Sequence, residues 1–223
     1  TKALTLVKDI NEGNVDAFKG KSTGNFTIDN NLLYFTATDG LNGEILWSYD
    51  SATNTTSSII NGIASRFIAF DNQLYFTKNN EASVQQWWSY DTSSKQAKLV
   101  KNINNEGVNF TEVTLFNNAL YLFSFKADDG YQLWKYNGKF LSLVKELTEV
   151  SREDDLTIHH TDEQYIYFSN TDCGQNQGCP KTLLLQFNTL TTDITPIRSF
   201  ALYSMAGHTA PFDFLAYKNE IYF

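Results

Sequence analysis

The sequence predicts an all-β fold, a β-propeller of four-stranded antiparallel blades of about 45 residues each. Three observations predict it: a strand motif that returns five times, a tryptophan segment at fixed distance behind it, and a composition rich in strand-forming residues. The chain has 223 residues with 17 Phe and 12 Tyr, only 3 Pro and 12 Gly, and aromatic and β-branched side chains suit a pleated, half-buried surface. A chain of this length can bury about 70% of its unfolded surface, enough for a core.

The first element is a polar turn running into an apolar strand marked by tyrosine. It reads Asn31-Leu32-Leu33-Tyr34-Phe35, Asn72-Gln73-Leu74-Tyr75-Phe76 and Asn118-Ala119-Leu120-Tyr121-Leu122. It returns as Gln164-Tyr165-Ile166-Tyr167-Phe168 and Asn219-Glu220-Ile221-Tyr222-Phe223. The marker tyrosines are 41, 46, 46 and 55 residues apart. The second element, Trp47-Ser48-Tyr49-Asp50, Trp88-Ser89-Tyr90-Asp91 and Trp134-Lys135-Tyr136-Asn137, starts 13 residues after its tyrosine. A fourth copy, Leu185-Gln186-Phe187-Asn188, starts 18 residues after Tyr167.

The third element is an apolar-basic strand, Leu6-Val7-Lys8-Asp9-Ile10, Leu99-Val100-Lys101-Asn102-Ile103 and Leu143-Val144-Lys145-Glu146-Leu147. Its weaker copies are Ser58-Ile59-Ile60-Asn61-Gly62 and Pro196-Ile197-Arg198-Ser199-Phe200. A further apolar strand precedes each marker, as in Arg66-Phe67-Ile68-Ala69-Phe70. That makes four short strands per repeat, over windows 6–57, 58–98, 99–142, 143–195 and an incomplete 196–223. Four strands cannot bury both faces alone, so the units must stack on one another. Radial blades answer that need; a solenoid of stacked coils is the alternative, and usually has shorter, more regular repeats. The last apolar strand stops at Phe223, so the reading is of part of a larger propeller.

The repeat resembles the ELWxxDGT, or hyalin-like, repeat of bacterial extracellular and surface proteins. The resemblance rests on Glu44-Ile45-Leu46-Trp47-Ser48-Tyr49-Asp50 and Gln132-Leu133-Trp134-Lys135-Tyr136-Asn137-Gly138, flanked by the Leu-Val-Lys and Leu-Tyr-Phe strands. A full Asp-Gly-Thr triplet is missing from every copy. The resemblance implies a secreted or cell-surface protein and carries no catalytic residue to transfer.

Charge narrows the partners. Net charge is −8 and pI about 4.8, with no basic patch to neutralise phosphates, which disfavours nucleic acid. No run of 18 apolar residues is present to insert in a membrane. A protein partner or a surface glycan remains.

Individual residues are weaker guides. Trp47, Trp88 and Trp134, with the tyrosines Tyr34, Tyr75, Tyr121, Tyr167 and Tyr222, read as structural filler between blades. Trp87 adjoins Trp88, and neighbours on a strand point to opposite faces; it is a candidate stacking platform for a sugar, or else packs against a blade. Cys173 and Cys179 lie among small and polar residues, in the segment that holds the five extra residues of the fourth repeat. A local disulfide fits; two free thiols are the alternative. Glu153, Asp154 and Asp155 form an acidic loop and a candidate contact region. Oxygen-rich loops of this kind, with Thr38-Asp39-Gly40 and Asp128-Asp129-Gly130, can hold calcium, but Asp-Gly is equally turn chemistry, and turns are preferred; no cofactor is expected. His159 and His160 should diverge and grip no common metal.

No nucleophile elbow, phosphate-binding loop or zinc helix motif is present in the sequence. The reading is a non-enzymatic binding or scaffolding module of a secreted or surface protein, making protein contacts or binding carbohydrate. The alternative is a polysaccharide hydrolase or lyase with carboxylates in a propeller channel.

Overall fold

A computed structural model describes residues 6–12, 16–18, 26–62, 64–102, 108–126, 129–148, 150, 155–172, 181–201, 215–217 and 220–222. All regular structure among these residues is strand. Two compact units, Thr1–Glu106 and Gly107–Phe223, divide the chain.

The first unit holds two blades. One is β1 (Thr27–Asp29), β2 (Leu32–Thr38), β3 (Glu44–Asp50) and β4 (Thr55–Asn61); the other is β5 (Ala64–Phe70), β6 (Gln73–Asn79), β7 (Gln85–Asp91) and β8 (Gln96–Asn102). The second unit holds β9 (Val108–Phe116), β10 (Ala119–Lys126), β11 (Gly130–Tyr136) and β12 (Leu141–Leu147), then β13 (Asp155–Asp162), β14 (Tyr165–Asp172), β15 (Lys181–Asn188) and β16 (Ile194–Ala201). A two-stranded sheet, β17 (Leu215–Tyr217) with β18 (Glu220–Tyr222), follows. Strand order inside every sheet is chain order and every pairing is antiparallel, so each blade is a run of hairpins. The sheets run one strand out of phase with the sequence windows, because each apolar-basic strand closes the blade of the Trp segment before it. Leu6–Ile10 shares that motif, yet it is in no strand.

Two turns at one end of each blade explain most of the repeat. Between first and second strands, Asp71-Asn72 (φ 51° and 58°) and Asn117-Asn118 (φ 45° and 56°) both sit in the left-handed region. Such a two-residue turn matches the strand twist, and after glycine, Asn and Asp tolerate it best. Between third and fourth strands the last residue of the Trp segment folds a turn onto its own carboxylate or amide. Asp50 Oδ1 accepts from Ala52 N at 2.9 Å and Asp91 Oδ1 from Ser94 N at 2.8 Å. Asn137 Oδ1 accepts from Phe140 N at 2.9 Å and Asn188 Oδ1 from Leu190 N at 2.9 Å. The following hydroxyl then ties the two turns together. Ser51, Thr92 and Thr189 donate Oγ–H to the carbonyls of Asn31, Asn72 and Gln164 at 3.0, 3.2 and 3.0 Å. In the third blade Gly138 stands where the hydroxyl would be, and its carbonyl accepts from Tyr136 Oη at 2.9 Å.

All four blades share a second device, a register shift between third and fourth strands. It falls between Leu46 and Trp47, Trp87 and Trp88, Leu133 and Trp134, and Leu184 and Leu185. One extra residue bulges from each outer strand: Ile59, Val100, Val144 and Ile197.

The cores lie between the blades of each unit. In the first unit Tyr34 and Leu46 meet Leu74, Phe76 and Tyr90 of the next blade. In the second, Tyr121, Phe123 and Leu133 meet Ile166, Phe168, Leu185 and Phe187, with Phe123 and Phe168 tilted at 5.1 Å. Full burial of a side chain of this size contributes about 1.5–3 kcal/mol. The marker tyrosines Tyr34, Tyr75, Tyr121 and Tyr167 are all buried; β18 carries Tyr222, whose side chain lies outside the described residues.

The tryptophans are arranged differently from the sequence expectation. Trp47, Trp88 and Trp134 are only half-buried. The sealed position is one residue earlier, where Leu46, Trp87, Leu133 and Leu184 are each 0% exposed. Trp87 is therefore core, with Tyr75 stacked on it at 5.7 Å and 17°. The sugar-platform reading of Trp87 is corrected: a stacking platform needs an open ring face, and this ring has none in contact with solvent. The alternation that sends Trp87 and Trp88 to opposite faces holds. It sends Trp87 into the slot that leucine fills in the other blades.

Candidate functional site

At the opposite end of the first three blades, the loops between second and third strands are each held differently. In the first blade, Asp39 Oδ1 accepts from Leu41 N (2.9 Å) and Asn42 N (2.8 Å), and Oδ2 from Asn42 Nδ2 (2.7 Å). These hydrogen bonds, chiefly those of Asn42, lower the Asp39 pKa below the usual carboxylate value. Asp39 is thereby a turn former. In the second blade Asn80 does this work, accepting from Ala82 N at 3.0 Å and Val84 N at 2.9 Å. The third blade uses a Lys126–Asp129 ion pair across its loop. No group of three His, Cys, Asp or Glu placed to hold a metal occurs among the described residues.

The loop of the first blade forms one wall of a cleft of about 920 Å³. Its other walls are the segment Lys8–Glu12, Trp47, and Thr56–Ser58 of the outer strand. Two contacts dock the loop onto the N-terminal segment. Thr38 N donates to Ala17 O at 2.8 Å. Gly40, at φ 82°, brings its backbone so close to buried Asn11 that a Cβ would lie 2.5 Å from Asn11 Oδ1. Both the positive φ and the approach demand glycine there. Asn11 Nδ2 donates to Asp16 O at 3.4 Å.

Trp47 lines the cleft with its ring fixed by Nε1–H donating to Ala37 O at 3.1 Å. Exposed Lys8, Asp9 and Glu12 face the same space, and exposed Leu41 sits at its edge. The arrangement offers a flat aromatic, hydroxyls, an amide and three carboxylates against one ammonium. Such a set can offer ring stacking, hydrogen bonds and negative charge to a ligand.

The blade equivalents of Trp47 are oriented by other groups. Trp88 Nε1 donates to Gln86 Oε1 at 3.2 Å, and Lys78 Nζ stands 5.8 Å from its ring centre. Trp134 Nε1 donates to Ser124 Oγ at 2.9 Å.

Of the remaining sequence candidates, Glu153 and Asp154 lie outside the described residues, as do Cys173 and Cys179. Asp155 begins β13, paired with Thr171; its side chain also lies outside the described residues. The expected divergence of His159 and His160 is corrected: His159 is the extra residue of a bulge in β13, and the two histidines contact Ser169 and Tyr167, which share one face of β14. His159 Nε2 shares a 2.7 Å hydrogen bond with Ser169 Oγ, while His160 stacks on Tyr167 at 6.1 Å. Burial pulls the His159 pKa down to about 4. Burial first, and then Asp162, which accepts from its hydroxyl at 2.9 Å, push Tyr167 up to about 12. Sequence reasoning passed over Trp47 and Asn11 as ligand-facing groups; the one available signal was Ala37, a small residue where the second blade has Lys78.

No family model matches the chain, and no curated relative matches it. Solved structures do. The putative TolB from Agrobacterium tumefaciens is 10% identical with a TM-score of 0.56, over 77% of this chain and 62% of that one. The β-propeller domain of the trilobed protease from Pyrococcus furiosus is 12% identical with a TM-score of 0.56, over 78% and 57%. An ulvan lyase of polysaccharide lyase family PL25 is 13% identical with a TM-score of 0.54, over 76% and 52%. The likeness is one of fold: the chain is a β-propeller array covering part of a larger propeller. It spans less than two thirds of the length of each of these structures.

Proposed function

We propose that the chain is a non-enzymatic binding module of a secreted or cell-surface protein, and that it engages its partner through the loop end of its blades. The observation that carries the reading is the contrast between the two ends of the blades. One end repeats the same side-chain-capped turn in all four blades, tied by a hydroxyl in three, while the loops at the other end of the first three blades are held by different groups and, in the first blade, form a cleft. Rigid strands presenting variable loops are the usual way a β scaffold recognises something. The resemblance to the ELWxxDGT repeat supports the extracellular setting, and an oxidised Cys173–Cys179 pair would suit it.

Propeller folds also carry catalysis, and one of the similar structures is a polysaccharide lyase. The test is therefore double. The chain is screened against a glycan array and a surface extract, and incubated with polysaccharides under assays for new reducing ends and for unsaturated products. Specific capture without turnover supports the module. Turnover, or no capture from either source, overturns it. Thiol labelling before and after reduction checks the cysteine pair.

A further inference from the structure

Resting on that reading, we propose that the Trp47 cleft is a subsite for a cationic amino sugar, a pyranose carrying a free ammonium, within a glycan. The molecule supplies its own precedent. In the second blade the tryptophan of this repeat position holds an ammonium over its ring, that of Lys78 at 5.8 Å. The lysine lies three residues after the marker tyrosine. In the first blade that place is Ala37, a methyl group, and the tryptophan lines a cleft of about 920 Å³. The blade that lacks the built-in cation has room for an external one.

Charge and hydrogen bonding agree. Asp9, Glu12 and Asp39 line the cleft against Lys8 alone, so a cation is favoured there and a uronate or sulfate ester is opposed. Thr56 and Ser58 add hydroxyls that can both donate to and accept from sugar hydroxyls. An ammonium over a tryptophan face gains roughly 0.5–1 kcal/mol when exposed and about 2 when desolvated. The volume falls within the range of about 300–1,000 Å³ usual for ligand sites, more than one ammonium requires. A sugar fills that space with hydroxyls and a flat C–H face, which a lysine side chain lacks.

The test is titration of the intact chain, by calorimetry and tryptophan fluorescence at pH 6, with three trimers: glucosamine, N-acetylglucosamine and galacturonate. Glucosamine trimer should bind about tenfold tighter than its acetylated form, as loss of an ammonium–tryptophan contact requires. Galacturonate trimer should not bind. Trp47→Ala should lose about tenfold, and Trp47→Phe should keep most of the affinity. Because Trp47→Ala can disturb folding, Asp9→Asn with Glu12→Gln provides a second route through two exposed side chains, and it should weaken glucosamine binding and spare the unfolding temperature. Equal affinity for the acetylated trimer, unchanged binding in both sets of variants, or a lysine tripeptide binding as tightly as the sugar would each overturn the assignment. If no trimer binds while the array or extract yields another ligand, the cleft assignment fails and the module stands. If no trimer binds and neither array nor extract yields a ligand, both fail.

Discussion

The two ends of a blade are made from the same four strands, yet they obey different constraints. At one end Asp50, Asp91, Asn137 and Asn188 fold the same turn, and three of the four following residues lend a hydroxyl to the neighbouring turn. At the other, the loops of the first three blades are held by an aspartate, an asparagine and an ion pair in turn. The tied end satisfies backbone groups at fixed positions, so its chemistry is dictated and repeats. The free end is dictated only where it meets something else. Gly40 against Asn11 is such a place.

The contrast can be broken or sharpened by substitution. The largest effect belongs to neither end. Trp87→Ala empties a sealed slot between the two and should cost about 3–5 kcal/mol, read as a lower denaturant midpoint; a sugar platform would have cost nothing. Next comes the tie. Thr189→Val deletes the hydroxyl on Gln164 O and should cost about 1 kcal/mol, whereas an equal loss on trimming a loop tip would erase the distinction between ends.

Smaller still is a difference between the two units at their tied ends. The first unit uses Asp50 and Asp91, whose carboxylates are held below the ordinary value of 3.8 chiefly by backbone N–H donors, whereas the second uses Asn137 and Asn188. A carboxylate with a lowered folded pKa adds stability that is complete above the unfolded pKa, near 3.8, and disappears as pH falls through the folded one. Asparagine does not titrate. Acid titration of the unfolding temperature should show a loss below about pH 4, to which Asp39 and, from higher pH, His159 also contribute, and Asp50→Asn with Asp91→Asn should reduce it. The smallest effect is at the free end: Leu41→Ser, at an exposed loop tip, should stay within about 0.5 kcal/mol in chemical denaturation.

How much of this was legible in the sequence follows the same division. The strand count, the hairpin order and the asparagine-rich turns could be read because each is a local backbone requirement written in residue type. The division of labour between Trp87 and Trp88 was half legible. Period-two alternation separates them, but which face is sealed depends on what the blade packs against, and strand spacing is silent on that. The Trp47 cleft left only one trace in the sequence, Ala37 where the second blade has Lys78. It depends on Lys8–Glu12 folding against a loop some thirty residues away in the chain, through Thr38 N on Ala17 O and the glycine contact. The propeller likeness gives the architecture its frame and leaves such local encounters open.

The bulge at the middle of every outer strand has a consequence for self-assembly. A chain of repeated four-stranded units invites each sheet to recruit a further strand, from a neighbouring repeat during synthesis or from another molecule in a crowded solution. Ile59, Val100, Val144 and Ile197 each insert one residue where an incoming strand would need an even spacing of donors and acceptors. A kinked rim is a poor template for growth. The blade therefore terminates at four strands by its own geometry, and a repetitive sequence escapes the open-ended stacking that would turn repetition into fibre.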